Sequence, residues 1–424
     1  MKARHTTPAA ALVLALMAPI AVPAAAETTC IHDARVHTVT GPVLERASVC
    51  FDAGGIRHVG PRDGAPAADR EVEAAGHWLT PGLIETGTGV GLMEIEMEDR
   101  TVHQQGSSAD PICASFRVVE GVDPLTTPVA VARSGGITHA LVVPQGGLVS
   151  GQGGLIRLRG ATPSEMVVAP STGMVMHFTE HASQEAGGSR GTLLRRYRQL
   201  VADARQVMER PQEWDARAVR GTSAHPLELE ALAPVLAGAL PVLAVAHGVA
   251  DIDAALTWAG ETGARMAILG GAGAWAIADR IAALGVPVVV DPLANLPNSF
   301  SELGARPDNA ALLARAGVEV VLAVGDSHNA RTLRQAAGNA VRAGMAWDDA
   351  LAAITLHPAR LAGMEGRLGA IAPGMEAHLA LWTGDPFEFS TRLEGLWIDG
   401  TSQPLRDRQD ALRDRWRQID PHAR

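Results

Sequence analysis

Two polar side chains stand where apolar runs end. His247 closes PVLAVAH and Asp326 follows VVLAVG. A histidine and a carboxylate at the ends of buried strands are the residue types that move protons, and an Asp so placed can orient and deprotonate a water. Each also has a quieter role. His247 could simply bond a neighbouring loop, and Asp326 could cap the helix that opens in HNARTLRQAAG, which Asp does well. The roles differ in consequence: a lost cap costs stability, a lost base costs rate.

Further candidates surround this pair. His328 and Arg331 sit one helical turn apart on the same opening helix. A guanidinium there can clamp a substrate carboxylate through two parallel bonds, while His328 reads equally as a loop contact. His225 lies before proline in TSAHP, and His177, Glu180 and His181 follow or end the run MVMHF. Glu94 and Glu96 alternate in GLMEIEME, so both fit one face of an extended segment. Paired carboxylates divide acid and base work when their surroundings differ; the same run also reads as a solvated edge.

These residues need a scaffold that brings strand ends together. From Leu79 onward, apolar runs of five to seven residues alternate with Ala-rich helical stretches: LTPGLI, ITHALVVP, MVMHF, ARAVRG, PVLAVAH, ARMAILG, VPVVVDP and VEVVLAVGD. Continuous apolar runs are the signature of buried parallel strands. Eight of them with crossover helices predict an α/β fold, a (β/α)8 TIM-type barrel over residues 81–366. QGGLVSGQGG reads as a long loop within it. Residues 27–80 alternate short β-rich runs with turns, and RLGAIAPG, AHLALWTG and GLWIDG in 367–402 complete the same small composite β-sandwich. Residues 403–424 read as a solvated helical tail.

Composition narrows the chemistry. Residues 1–26 combine Lys2, Arg4 and His5 with an apolar run and a small-residue AVPAAA end, the pattern of a cleavable signal peptide cut near Ala26/Glu27. The expected location is therefore periplasmic or secreted. Removing them leaves 34 basic against 46 acidic side chains, a poor balance for nucleic acid. No later run is long enough to span a bilayer. A small-molecule substrate is the expected partner, and a homo-oligomer stays open. Lys2 is the sole lysine, so residues 27–424 cannot form a Schiff base, use a Walker-type lysine or bridge two metals with a carboxylated lysine. Cys30 and Cys50 lie symmetrically about the Gly41-Pro42 turn and are expected to form a disulfide across a hairpin; two small buried apolar side chains is the alternative.

In this order and spacing, AAGHWLTPGLIE, AHGVADIDAAL, GDSHNAR and AAITLHPARLAGMEGRLGAIAPGMEAHLALW resemble the amidohydrolase superfamily of metal-dependent hydrolases, nearest to exported proteins related to imidazolonepropionase. The resemblance implies a metal at the C-terminal mouth of the barrel. Its ligands would be a His-x-His pair after strand one, often a lysine after strand four, histidines after strands five and six, and an aspartate after strand eight. Gly87 and Gly89 occupy the first two positions, and Gly270 or Gly271 the strand-six position. His247 and Asp326 match the ligands that survive, with His225 the expected replacement and His177, Glu180, His181, His328, Glu85, Glu94 and Glu96 nearby. Thr88 and its glycines would leave room for substrate. Implied is a hydrolase of a non-peptide or small peptide-like C–N bond, in a cyclic or linear amide, holding at most one divalent metal, zinc by preference, or none. Two alternatives stand: a metal-free binding or scaffold protein, and a metal-free enzyme using acid–base groups.

Overall fold

A computed structural model describes residues 27–107, 109–209 and 222–419. The predicted signal peptide and the strand expected over ARAVRG (216–221) lie outside the described residues.

The first sheet is built from both ends of the chain. β1 (Thr29–Val36), β2 (Leu44–Asp52), β3 (Gly55–Gly60), β4 (Arg70–Glu73) and β5 (Trp78–Pro81) are joined by β14 (Leu379–Trp382), β15 (Leu393–Ile398) and β16 (Thr401–Ser402). Their order is β16-β15-β14-β5-β1-β2-β3, with β4 also on β1. The expected composite sheet domain is thus present, and its strands form one mixed ladder in which β1 pairs parallel with both β4 and β5. RLGAIAPG forms no strand; it crosses as a loop that drops Ile371 into the core with Ile31, Val49 and Phe51. Cys30 faces Cys50 across β1–β2, and the two form the expected disulfide.

The second sheet is the barrel: β6 (Leu83–Thr88), β7 (Ile137–Val142), β8 (Val149–Arg157), β9 (Val167–His177), β10 (Val242–Ala246), β11 (Met266–Gly270), β12 (Val288–Val290) and β13 (Val320–Leu322), paired in chain order. Ile84, Leu141, Leu155, Val175, Leu243, Leu269, Val289 and Val321, one from each strand, fill the interior. The alternate side chains pack outward on the helices, which is why the runs are apolar on both faces. Eight strands are present as expected, but one differs. The glycine-rich QGGLVSGQGG contributes β8, antiparallel to both neighbours, so MVMHF ends the fourth strand rather than the third.

No strand ladder joins β6 to β13 among the described residues. The Glu85 carboxyl bridges that seam: its Oε1 accepts from the Val324 and Gly325 amides, each at 2.9 Å. Glu85 is fully buried. Burial, against those amide bonds, pushes its carboxyl up to about 8.

Candidate active site

The C-terminal ends of the barrel strands open into a chamber of about 440 Å³ with mostly apolar walls. Its polar groups are Thr86, His177, His181, His247 and Asp291, with Gln145 and Thr179 at the edge. A smaller chamber of about 200 Å³ adjoins it, lined by Glu302, Asn309, Asn298 and Arg306. His247, Gly270, Val290 and Asp291 line both, so the two chambers meet at these residues.

His247 is placed by the end of β10 and by the helix Val249–Thr262 that follows. That helix is anchored through Asp251, whose Oδ1 accepts from Arg190 at 2.6 Å and whose Oδ2 accepts from the Ser301 hydroxyl at 2.7 Å. The second bond draws the segment carrying Glu302 toward His247, leaving Glu302 Oε1 3.9 Å from Nδ1. Asp291 follows β12 directly; its Oδ1 accepts from the Leu293 amide at 2.7 Å. Burial pushes its carboxyl above the ordinary range, with those loop amides opposing, which brings it closer to the range of an effective base.

His177 ends β9. The Ser150 hydroxyl donates to the Gly146 carbonyl at 2.7 Å, so its oxygen accepts from His177 Nε2–H at 2.8 Å. That leaves Nδ1 as an acceptor. Burial, then the neighbouring His181 and His247, pulls His177 down to about 4, so the ring is neutral at neutral pH. Thr86 projects from β6 with its buried hydroxyl unpartnered.

The expected residues divide between this site and elsewhere. His247, His177 and His181 line the large chamber. Asp326 does not: it lines a separate cleft with His328, Glu96 and Gln104. Its Oδ1 accepts from the His328 and Asn329 amides at 2.7 and 3.1 Å, and its Oδ2 from the Asn329 side chain. Burial resists ionisation there, yet the bonds from Asn329 and His328 hold the carboxyl below its usual range. Asp326 thus fixes the Ser327–Asn329 turn; the helices that follow, Ala330–Thr332 and Leu333–Arg342, have Asn329 and Thr332 at their N-caps, so the helix-capping role expected of Asp326 is not taken. Arg331 donates to Gln409 at 3.0 Å, tying down the C-terminal helix. Thr88 is fully buried, and its hydroxyl accepts from the Val90 amide rather than facing the chamber. His225 is exposed and caps the helix Pro226–Glu230 through Nδ1. Glu94 is spent on the helix Thr127–Ser134, accepting from the Thr127 amide at 2.6 Å. Glu180 lies exposed in the first turn of the short helix after His177. Asp291, Glu302, Asn309 and Thr86 were not anticipated. Asp291 had a legible signal, since VPVVVDP sets it after an apolar run just as PVLAVAH sets His247.

A metal of the implied kind does not fit these residues. A β-carbon at Gly89 would meet the Gln104 amide at 2.5 Å, so that side chain fills the second strand-one position. The His247 ring covers Gly270, and the Asp326 carboxylate is turned onto the His328 and Asn329 amides. Among the described residues, the only group of three potential ligands close enough to share an ion is Glu376, His378 and Asp399. This group lies at the other end of the barrel, where His139 of β7 meets the His378 ring. Glu376 is paired with Arg367, and Asp399 with Arg157 at 2.7 Å and Arg159 at 3.2 Å. His378 Nδ1 accepts from the Asp399 amide, and its Nε2 donates to Glu376 at 3.1 Å. Three guanidinium groups around two carboxylates make this an ion-pair network that repels a dication.

Comparison with known proteins agrees with the fold. The Amidohydrolase family profile matches residues 237–403. The curated "Amidohydrolase tasK" of Hapsidospora irregularis is 25% identical over 365 residues, which is 78% of this chain; the chain spans 37% of that relative's length. A crystal structure of an amidohydrolase from Thermotoga maritima MSB8 superimposes with a TM-score of 0.81 at 26% identity, covering 89% of this chain and all of the other. A prolidase complexed with N-methylphosphonate-L-proline shares the fold at TM-score 0.57 and 16% identity, covering 89% of this chain and 99% of its own. Members of the family usually bind metals, and it is the protein frame rather than that ligand set which is kept here. Together these matches support membership of the amidohydrolase superfamily, and with it a hydrolase of the amidohydrolase fold.

Proposed function

We propose that this protein hydrolyses a non-peptide or small peptide-like amide C–N bond, cyclic or linear, through an acid–base pair made of Asp291 and His247. The observation that carries the reading is the placement of both residues where the two chambers meet. An amide lying over these shared residues has its acyl side in the apolar chamber and its nitrogen side in the smaller one.

Asp291 takes a proton from water as the water oxygen bonds to the carbonyl carbon. The unpartnered Thr86 hydroxyl, on the large-chamber side, donates to the developing oxyanion. His247 gives a proton to the nitrogen as the C–N bond breaks, releasing a carboxylic acid and an amine. The proton held by Asp291 then passes through solvent to restore His247. Neutral His177 adds an acceptor without adding charge.

Export is part of the proposal. The signal-like residues 1–26 and the Cys30–Cys50 disulfide support a periplasmic or secreted protein, since such bonds persist in oxidising compartments. The glycines at the strand-one and strand-six ligand positions favour a second reading, a non-catalytic binding protein on the same frame. A panel of cyclic and acyclic amides separates the two. Turnover that Asp291→Asn and His247→Ala each abolish supports the hydrolase. Binding without turnover across the panel supports the binder.

A further inference from the structure

The small chamber has a chemistry of its own. Its walls bring two carboxylates, Asp291 and Glu302, beside the amide of Asn309. Asn309 is 8% exposed, and its Nδ2 donates to the Gly271 carbonyl at 2.9 Å. The Oδ1 that remains is buried and accepts from no protein group. Glu302 Oε2 accepts from the Asn298 amide at 2.8 Å, which fixes the side chain.

Arg306, the one guanidinium among the described residues of the wall, is already matched. Arg306 makes a two-pronged pair with Asp308, donating from Nη2 to Oδ2 at 2.8 Å, and its guanidinium lies 4.6 Å over the Trp275 ring. The surrounding segment is pinned as well: Trp275 Nε1 donates to the Gly304 carbonyl at 2.8 Å, and Ser301 to Asp251. The chamber is thus pre-built and rich in acceptors. Buried acceptors favour a ligand that brings N–H groups, and two carboxylates with a neutralised arginine favour one that brings them as a cation.

We infer that the small chamber is the amine-side subsite and selects substrates whose nitrogen half carries a second, protonated amino group. The substrate class is an N-acyl diamine or similar aminoalkyl amide, its acyl group in the apolar chamber and its ammonium on Glu302, Asp291 and Asn309. The inference rests on the hydrolase reading for turnover, but binding tests it independently.

Three probes share an octanoyl group and differ on the nitrogen side: N-octanoyl-ethylenediamine, N-octanoyl-propylamine and N-octanoyl-glycine. Affinity is measured by calorimetry, with products followed in parallel. The cationic amide should bind at least tenfold more tightly than the neutral one, and the glycine conjugate most weakly. Glu302→Gln keeps the acceptor for Asn298 and should shrink the cation-over-neutral ratio severalfold. Asp308→Asn, which frees the charge of Arg306 from its partner, should shrink it as well. Equal binding of the three probes, tightest binding of the glycine conjugate, or an unchanged ratio in both variants overturns the subsite. The expected order without turnover of any probe leaves the subsite standing and removes the hydrolase reading. Turnover without cation preference does the reverse.

Discussion

The His247 imidazole lies against the α-carbon of Gly270, so closely that a β-carbon there would stand 2.5 Å from Cε1. This contact accounts for the missing strand-six ligand: in this position His247 and a side chain at 270 cannot share the space. Gly270 also has φ +104, a conformation side chains rarely adopt. Gly270→Ala should therefore destabilise the fold by roughly 1–3 kcal/mol and push His247 off the chamber wall, lowering turnover. Gly263, at φ +77 with open space around it, is the control. Gly263→Ala should lower the melting temperature and leave kcat/KM near the parent value.

Asp291 and Asp326 should separate by kind of damage. Removing a general base costs roughly a hundredfold to ten-thousandfold in rate, so Asp291→Asn should lose kcat with little change in melting temperature. Asp326→Ala removes the bonds that hold the Ser327–Asn329 turn, and should cost about 1 kcal/mol with kcat within a fewfold of the parent. Thermal unfolding and steady-state kinetics on the two variants check both halves.

Glu85 should leave a mark on the pH dependence of stability. Its folded pKa of about 8 lies above the ordinary carboxyl value, so the folded chain keeps a proton that the unfolded chain gives up. The contribution is full below about pH 4.5 and is lost as pH rises toward 8, amounting to up to roughly 5 kcal/mol. Glu85→Gln cannot ionise. Urea midpoints at pH 5 and pH 8.5 should differ less in the variant than in the parent. An equal difference in both would show that the seam carboxyl does not titrate as its burial requires.

The disulfide closes a loop of 20 residues. Loop-closure entropy assigns such a bond about 3 kcal/mol. Cys30→Ser with Cys50→Ser should lower the unfolding midpoint accordingly. Turnover at low temperature should persist, since the bond lies in the composite sheet, away from both chambers.

Sequence pattern revealed those parts of the fold where burial is continuous. VLAVA, VVV and VVL are apolar on both faces because interior and helix-facing positions alternate along them, so the strands and the position of His247 could be read directly. β8 was hidden because glycines at 151, 153 and 154 erase the side-chain pattern of a strand that nonetheless pairs on both sides. Asp326 was legible as a polar group at a strand end but not as the holder of a local turn, since that depends on where its loop folds and which cleft it faces. Gln104 could not be found at all. It reaches the space beside Gly89 from a loop 15 residues further along, and no local periodicity encodes such a meeting.

The central claim is that amide hydrolysis here rests on Asp291 and His247 rather than on the metal set of the family. It is tested most directly by the rate of amide hydrolysis after exhaustive chelation, measured beside Asp291→Asn. The account predicts that the chelated chain keeps the parent rate and that Asp291→Asn loses at least a hundredfold. A rate that collapses on chelation, returns with zinc and is untouched by Asp291→Asn would contradict it.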